Sequence, residues 1–347
     1  VEAVSQQYFW RKQNTTYCFD YVNNSCLQAS ISIPRLPAIC VIMFVCIVMT
    51  VMGNLMVIVS VSHFKQLHTP TNFLILSLAI TDFLLGLIIM PYSMARSITS
   101  CWYFGDLFCT VHSCLDMTFC TTSIFHLFFI SLDRYYAVCQ PLHYYRKITI
   151  HVIEVYLFIS WSMPCLYSFS LVLTNVNMKG LEEKVNSLSC TGSCVLTFNK
   201  HWAVITSLIC FFIPGTMMIG IYIHIFSIAR KQAKSVQSHS NYLPSNSNNK
   251  TLVKVESKAA KTLSLVMGAF VLCWLPFFIV TVVDPYIDFS TSDDIYNAIL
   301  WLGYFNSTLN PIIYALSYPW FQKSFQFIIT GAIFKANSST LSVLKKD

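Results

Sequence analysis

The sequence predicts an all-α membrane protein: a bundle of seven spanning helices, a short amphipathic helix after them, and an extracellular N-terminus. Three observations predict it. Of the 347 residues, 55% are hydrophobic and only 11% charged, with a mean hydropathy of +0.58, whereas a soluble domain carries about 25% charged residues. Apolar runs of about 20 residues, enough to cross a bilayer, recur seven times. Lys and Arg gather in alternate connectors, which orients the spans. The net charge of +7 does not indicate nucleic acid, because the bases sit on no soluble domain and no nucleic-acid motif occurs.

Residues 1–36 read as an extracellular tail. The stretch VEAVSQQYFWRKQNTTYCFDY has no apolar core of a cleavable signal peptide. Asn14-Thr15-Thr16 and Asn23-Asn24-Ser25 are glycosylation sequons on that tail. The spans follow within residues 37–318, at 37–62, 72–96, 106–139, 152–174, 202–229, 259–283 and 296–318. The Ser/Asn-rich segment KSVQSHSNYLPSNSNNKTLVKVESK reads as a flexible loop between spans 5 and 6. Residues 319–347 hold the amphipathic segment PWFQKSFQFIITGAIF and a tail. Trp320, Phe321, Phe325 and Ile328 could lie in the membrane interface. Bases after spans 1, 3, 5 and 7, such as Lys65, Arg146, Arg230 and Lys323, mark those connectors as cytoplasmic. Glu182, Glu183, Asp284, Asp293 and Asp294 lie opposite.

Cysteines divide by location. Cys40, Cys46, Cys114, Cys120, Cys165, Cys210 and Cys273 sit in spans, where small apolar packing is their ordinary use. Cys18, Cys26, Cys101, Cys109, Cys190 and Cys194 lie at the outer, oxidising side. A bridge from Cys109 to the loop before span 5 would tie that loop over the bundle mouth, but spacing does not fix connectivity.

Three polar features interrupt the apolar runs. Asp116, in HSCLDMTFC, is an acid that costs about 2.5–3.5 kcal/mol at a bilayer centre on insertion scales. Asp133-Arg134-Tyr135 closes span 3, about 27 Å further along a helix rising 1.5 Å per residue. With Arg134 at the cytoplasmic edge, Asp116 lies toward the outer mouth; a snorkelling interface arginine is the plain alternative for Arg134. Asp82 is a second intramembrane acid, which Asn54, Ser123, Ser307 and Asn310 could surround. It needs a partner or a proton, so a hydrated cation such as sodium competes with protonation. Pro214, Pro276 and Pro311 each remove a helical hydrogen bond. Rocking about such kinks would let the bundle switch shape, although proline is also simply commoner in membrane helices.

Together these residues resemble the rhodopsin-like G-protein-coupled receptors over nearly the whole chain. The matching set is Asn54, Asp82, Cys109, Asp133-Arg134-Tyr135, Trp161, Pro214, Cys273-Trp274-Leu275-Pro276 and Asn310-Pro311-Ile312-Ile313-Tyr314, in order along the spans. Asp116 sits where the aminergic branch carries its ammonium partner, and Tyr304 where that branch often has a tyrosine on the acid. NSTLNPIIYALSYPWF, HFKQLHTPTNFLILSLAITDFLLG and SCWYFGDLFC are similar to the trace amine-associated receptors within it.

The resemblance implies a pocket holding a small amine, with Asp116, Tyr304, Met117, Cys120, Trp274, Phe277, Phe278, Thr206 and Ser207 around it. Core packing is the bland reading of the two phenylalanines, and His112 could border the pocket. One carboxylate implies monoamines over diamines. It further implies disulfides Cys109–Cys194 and Cys18–Cys190, with Cys26 competing for Cys190. At the inner end it implies a switch of Asp133, Arg134, Tyr135, Tyr222, Asn310, Pro311 and Tyr314, with Arg134 paired to Glu256 at rest. The implied partners are membrane lipid and a heterotrimeric G protein of the stimulatory or olfactory type. The implied location is the plasma membrane, including olfactory cilia. No cofactor beyond an allosteric sodium ion near Asp82 is implied. Another aminergic receptor, for a serotonin- or histamine-like ligand, and a seven-helix transporter are the alternatives. Only 10 glycines and no internal repeat speak against the transporter. Nine scattered histidines without ligand spacing speak against a metalloenzyme.

Overall fold

The computed structural model describes residues 16–28, 36–183, 190–239, 247–335 and 337–344, and for residues 229, 232–239 and 247–264 the backbone alone. Among them, α1 spans Leu36–His63 and α2 spans Pro70–Thr99, with a wider π turn at Leu85–Ile89. Then come α3 (Asp106–Cys139), the short α4 (Pro141–Lys147) and α5 (Ile150–Thr174). Helix α6 runs Lys200–Ser207 and, after a π turn at Leu208–Phe212, Ile213–His239. It is followed by α7 (Ser247–Val283), α8 (Asp293–Ser317) and α9 (Pro319–Ile329). Six stretches are long and apolar enough to cross a membrane by length and composition: α1, α2, α3, α5, Lys200–Ile228 and Leu265–Tyr286. The seventh span, α8, is more polar because its buried side includes Asn306, Ser307, Thr308 and Asn310, which the bundle rather than lipid must satisfy.

Local chemistry explains the ends. Thr69 caps α2 through the Asn72 N–H with Pro70 at the first turn, Thr149 caps α5, and Asn199 accepts from the Trp202 N–H at 2.9 Å to start α6. Each π turn sits just before a proline, Pro91 or Pro214. A proline lacks the N–H that would close the preceding turn and its ring crowds the carbonyl there, so the helix widens. The loop expected between spans 5 and 6 is largely helical instead: α6 continues to His239 and α7 already starts at Ser247. Ala, Arg, Lys, Gln, Leu and Glu in ARKQAKSVQ and TLVKVESKAAK sustain these turns, and the Ser/Asn content of the junction had masked them.

α3 runs through the middle of the bundle and packs on α2, α5 and α6, while α8 packs on α1 and α7. Polar staples join the helices. His126 donates from Nδ1 to the Thr122 carbonyl at 2.7 Å, so its Nε2 accepts from Ser77, which in turn accepts from Trp161 Nε1 at 2.9 Å. Asn54 donates to the Ser307 carbonyl at 3.1 Å. Two glycines permit close approach: a Cβ at Gly53 would lie 2.7 Å from Pro311, and one at Gly303 would lie 2.7 Å from the Trp274 ring. In α9, Trp320 and Phe321 turn into the bundle rather than lying in an interface plane, and Phe325 stays exposed.

One end of the bundle carries three disulfides: Cys18–Cys101, Cys26–Cys190 and Cys109–Cys194. The expected Cys18–Cys190 bridge does not form. The backbone sets the pairing, because Ser25 bridges Thr191 in parallel and the Cys26 N–H donates to the Thr191 carbonyl at 3.0 Å. That register lays Cys26 beside Cys190 and carries Cys18, eight residues back along a turn, over to Cys101.

Candidate functional site

Near the disulfide-bearing end, Asp116 projects half-buried from α3. Tyr304 Oη of α8 donates to its Oδ2 at 2.8 Å, and the Cys120 thiol donates to Oδ1 at 3.4 Å. Among the described residues, Asp116 has no ion pair. Met117 and Cys120 lie one side of it and are half-buried. Trp274, Phe277 and Phe278 follow one another around α7. Trp274 and Phe277 stand edge to face at 5.8 Å, and Phe277 meets Tyr296 of α8 at 5.9 Å. Phe278 is turned into packing, stacked on Phe211 at 4.7 Å. Thr206 shares a 2.8 Å hydrogen bond with Tyr167 of α5, whereas the Ser207 hydroxyl is buried without a partner.

Sequence reasoning missed several groups around this acid. Ser93 lies 3.2 Å from Tyr304 Oη. Arg96 donates to the Cys194 carbonyl at 2.9 Å, fastening α2 to the disulfide-bonded loop. Pro91 was the available signal, because the π turn before it rotates the following residues of α2 toward α3 and α8.

Asp82 forms a second polar centre and is fully buried. It accepts from Ser123 at 3.2 Å, Ser307 at 2.7 Å and Asn310 Nδ2 at 2.8 Å. The carbonyl oxygens of Asn54 and Asn310 are buried without partners. A carboxylate, two hydroxyls and two orphaned carbonyl oxygens are the donor set a hard cation such as sodium accepts, so these residues fit such an ion.

At the opposite end Asp133 is fully buried. It accepts from Thr71 at 2.8 Å, Tyr144 at 2.9 Å and Arg134 Nε at 2.8 Å, and Arg134 also reaches Thr71. Burial pushes the Tyr144 phenol of α4 above its ordinary value, so it remains a proton donor. Tyr135 packs against His224 of α6 at 5.6 Å instead of joining this network. Tyr222 and Tyr314 line one small enclosed cavity with Leu127, Ile130, Met267 and Tyr318, and Ser131 Oγ lies 3.2 Å from Tyr222 Oη. The Glu256 side chain and Asn14 lie outside the described residues, while Asn23 is exposed.

A helical bundle that buries an acid toward one end and an arginine network at the other defines a seven-helix membrane receptor, and residues 53–314 match the family described as 7 transmembrane receptor (rhodopsin family). The chain is 56% identical over 336 residues to trace amine-associated receptor 4 of Mus musculus and of Rattus norvegicus, covering 96% of this chain and 97% of each relative. It is 48% identical over 343 residues to trace amine-associated receptor 13c of Danio rerio, covering 99% of both. The chain belongs to the trace amine-associated receptors of the rhodopsin family. It is therefore a multi-pass membrane receptor that works with a small-molecule ligand and a G protein, and it is not an enzyme. HSCLDMTFCTTSIFHL and LWLGYFNST already look most like the fourth receptor of the group, in keeping with the 56% identity.

Proposed function

We propose that the protein is a plasma-membrane receptor for small primary arylalkyl monoamines, including volatile ones met in olfactory cilia. It signals through a stimulatory or olfactory G protein to raise cAMP. The observation that carries this reading is Asp116: a half-buried carboxylate with two neutral donors and no ion pair among the described residues. Such a group gains strongly from a charge-assisted hydrogen bond to an ammonium. The disulfide-bearing end faces outside in this reading, with Asn14 and Asn23 glycosylated there. Met117, Cys120, Thr206 and Ser207 border the amine, Phe277 offers apolar surface to the ligand body and cation–π contact to its ammonium, and Phe278 backs it from the packing against Phe211. No second carboxylate hydrogen-bonds into this constellation, which favours one ammonium over two.

Ligand contact shifts Trp274 and the kink at Pro276. Movement of α7 then frees Arg134 from Asp133, with Tyr222 and Tyr314 closing behind it and Asn310-Pro311 supplying give in α8. A ligand drives this only by binding the two forms unequally. A sodium ion held by Asp82, Ser123, Ser307, Asn310 and Asn54 would supply positive charge to the resting form.

The test is a cAMP assay in cells displaying the full chain, run with primary amines from benzylamine to 4-phenylbutylamine beside the matching diamines. The monoamines are expected to raise cAMP, and Asp116→Ala is expected to weaken the response by about 100-fold or more, the scale of losing a charged hydrogen bond. Equal responses from Asp116→Ala at equal surface level would remove the amine anchor. Activation by diamines alone would remove the monoamine preference.

A further inference from the structure

The acid is the end of a hydrogen-bond chain that begins on its own helix and passes through two others. Tyr304 spends its single proton on Asp116 at 2.8 Å. Ser93 Oγ lies 3.2 Å from Tyr304 Oη and 3.4 Å from His112 Nε2. His112 Nε2 also lies 3.3 Å from the Ile89 carbonyl in the π turn of α2. A carbonyl only accepts, so the proton of His112 is on Nε2. With Tyr304 already donating to the acid, Ser93 must donate to Tyr304, and its lone pairs are left for His112. The chain of donors therefore runs one way, from His112, whose single Nε2–H is shared between the Ile89 carbonyl and Ser93, to Ser93 to Tyr304 to Asp116.

The setting preserves that direction. Ser93 and Tyr304 are 0% exposed and His112 is 2% exposed, so water does not compete for these groups. The imidazole is held among Tyr92, Trp102 and Phe108, at ring separations of 6.3, 5.1 and 6.3 Å. Its Nδ1 has no partner, as suits a bare lone pair on a neutral ring.

We propose that His112 and Ser93 are positioning residues for the ligand's ammonium, acting through Tyr304; the proposal rests on Asp116 being the amine anchor. Aligned donors polarise one another. The chain thus keeps the Tyr304 hydroxyl on Oδ2 of Asp116 and leaves Oδ1, which has only a weak thiol donor, for the incoming N–H. Without His112 the Ser93 hydroxyl is free to turn and accept the Tyr304 proton, and without Ser93 the Tyr304 oxygen loses the donor that polarises it; either change weakens the donor on the carboxylate and its fixed orientation.

The experiment is a double-mutant cycle in the full-length receptor, with surface level measured by antibody and cAMP potency measured for the most potent amine of the benzylamine-to-4-phenylbutylamine series. Ser93→Ala and His112→Leu are each expected to raise the half-maximal concentration about 3- to 10-fold, the range of one net hydrogen bond. His112→Gln, which keeps an N–H donor near the Nε2 position, is expected to recover most of that loss. In a Tyr304→Phe background neither Ser93→Ala nor His112→Leu should add a further shift, because the route to Asp116 is already cut. Shifts that add in that background, or wild-type potency for Ser93→Ala, overturn the chain. Ser93→Ala and His112→Gln carry the test where His112→Leu does not reach the surface. Asp116→Ala in parallel separates the two ideas: a full response there removes the anchor, whereas additive shifts with a silent Asp116→Ala remove only the chain.

Discussion

At the scale of single residues, Gly303 and Trp274 show how little room the switch region has. A methyl at residue 303 would meet the Trp274 ring at 2.7 Å, inside any real contact distance. Overpacking of this kind costs about 1–3 kcal/mol. Gly303→Ala is therefore expected to lower the unfolding midpoint of the detergent-solubilised receptor and, by displacing Trp274, to change basal cAMP. An unchanged midpoint and unchanged basal cAMP together would show that the ring moves aside freely. Asp116 was legible in the sequence, because a lone acid in an apolar run is costly wherever the helix puts it. Ser93 was not legible. A serine in a membrane helix commonly returns its proton to its own backbone, as Ser168 does to the Pro164 carbonyl at 2.7 Å, and nothing in MPYSMARS distinguishes one that reaches another helix.

At the scale of elements, the spans could be read because each needs about 20 apolar residues and each is broken by charge. The disulfides could not, because pairing depends on how residues 16–28 lie against the loop, which is a matter of register between distant segments. The parallel bridge at Ser25 and Thr191 fixes that register. Mass spectrometry of unreduced proteolytic fragments should therefore recover Cys18 with Cys101 and Cys26 with Cys190. Cys18→Ser and Cys101→Ser should also share one phenotype, with the double variant no worse than either. Peptides joining Cys18 to Cys190 would contradict this register. The continuation of α6 and α7 beyond the membrane had a sequence signal in its Ala and Lys content, overshadowed by the Ser/Asn run between them.

At the scale of the whole molecule, two polar centres and the proposed amine site are strung along α3, at Ser123, Asp133 and Asp116, so one helix touches all three. At the Asp133 end the network uses Thr71 and Tyr144 as well as Arg134. The motif Asp133-Arg134-Tyr135 announced the pair, but its partners come from α2 and from α4, a short helix without an apolar pattern. Tyr144→Phe removes a hydrogen bond to a buried charge, worth about 1.5 kcal/mol or more. If that bond is broken on activation, the released fraction rises roughly tenfold. Basal cAMP should increase in unstimulated cells at equal surface level; basal signalling equal to the parent would place Tyr144 outside the switch.

The disulfide crown has a consequence for how the chain is made. Its bridges close over 83, 164 and 85 residues. Cys18 finds Cys101 once α2 has been made, but Cys26 must wait for the loop before α6 to emerge from the ribosome. Until then residues 16–28 are tethered through Cys18 alone, with Cys26 still a free thiol. The same loop also has to reach Cys109. Two of the three bonds thus wait on one late-arriving segment, so the closed crown records that the chain has been made as far as that loop. A receptor that leaves the endoplasmic reticulum with its crown closed has, by that fact, already threaded its first four spans.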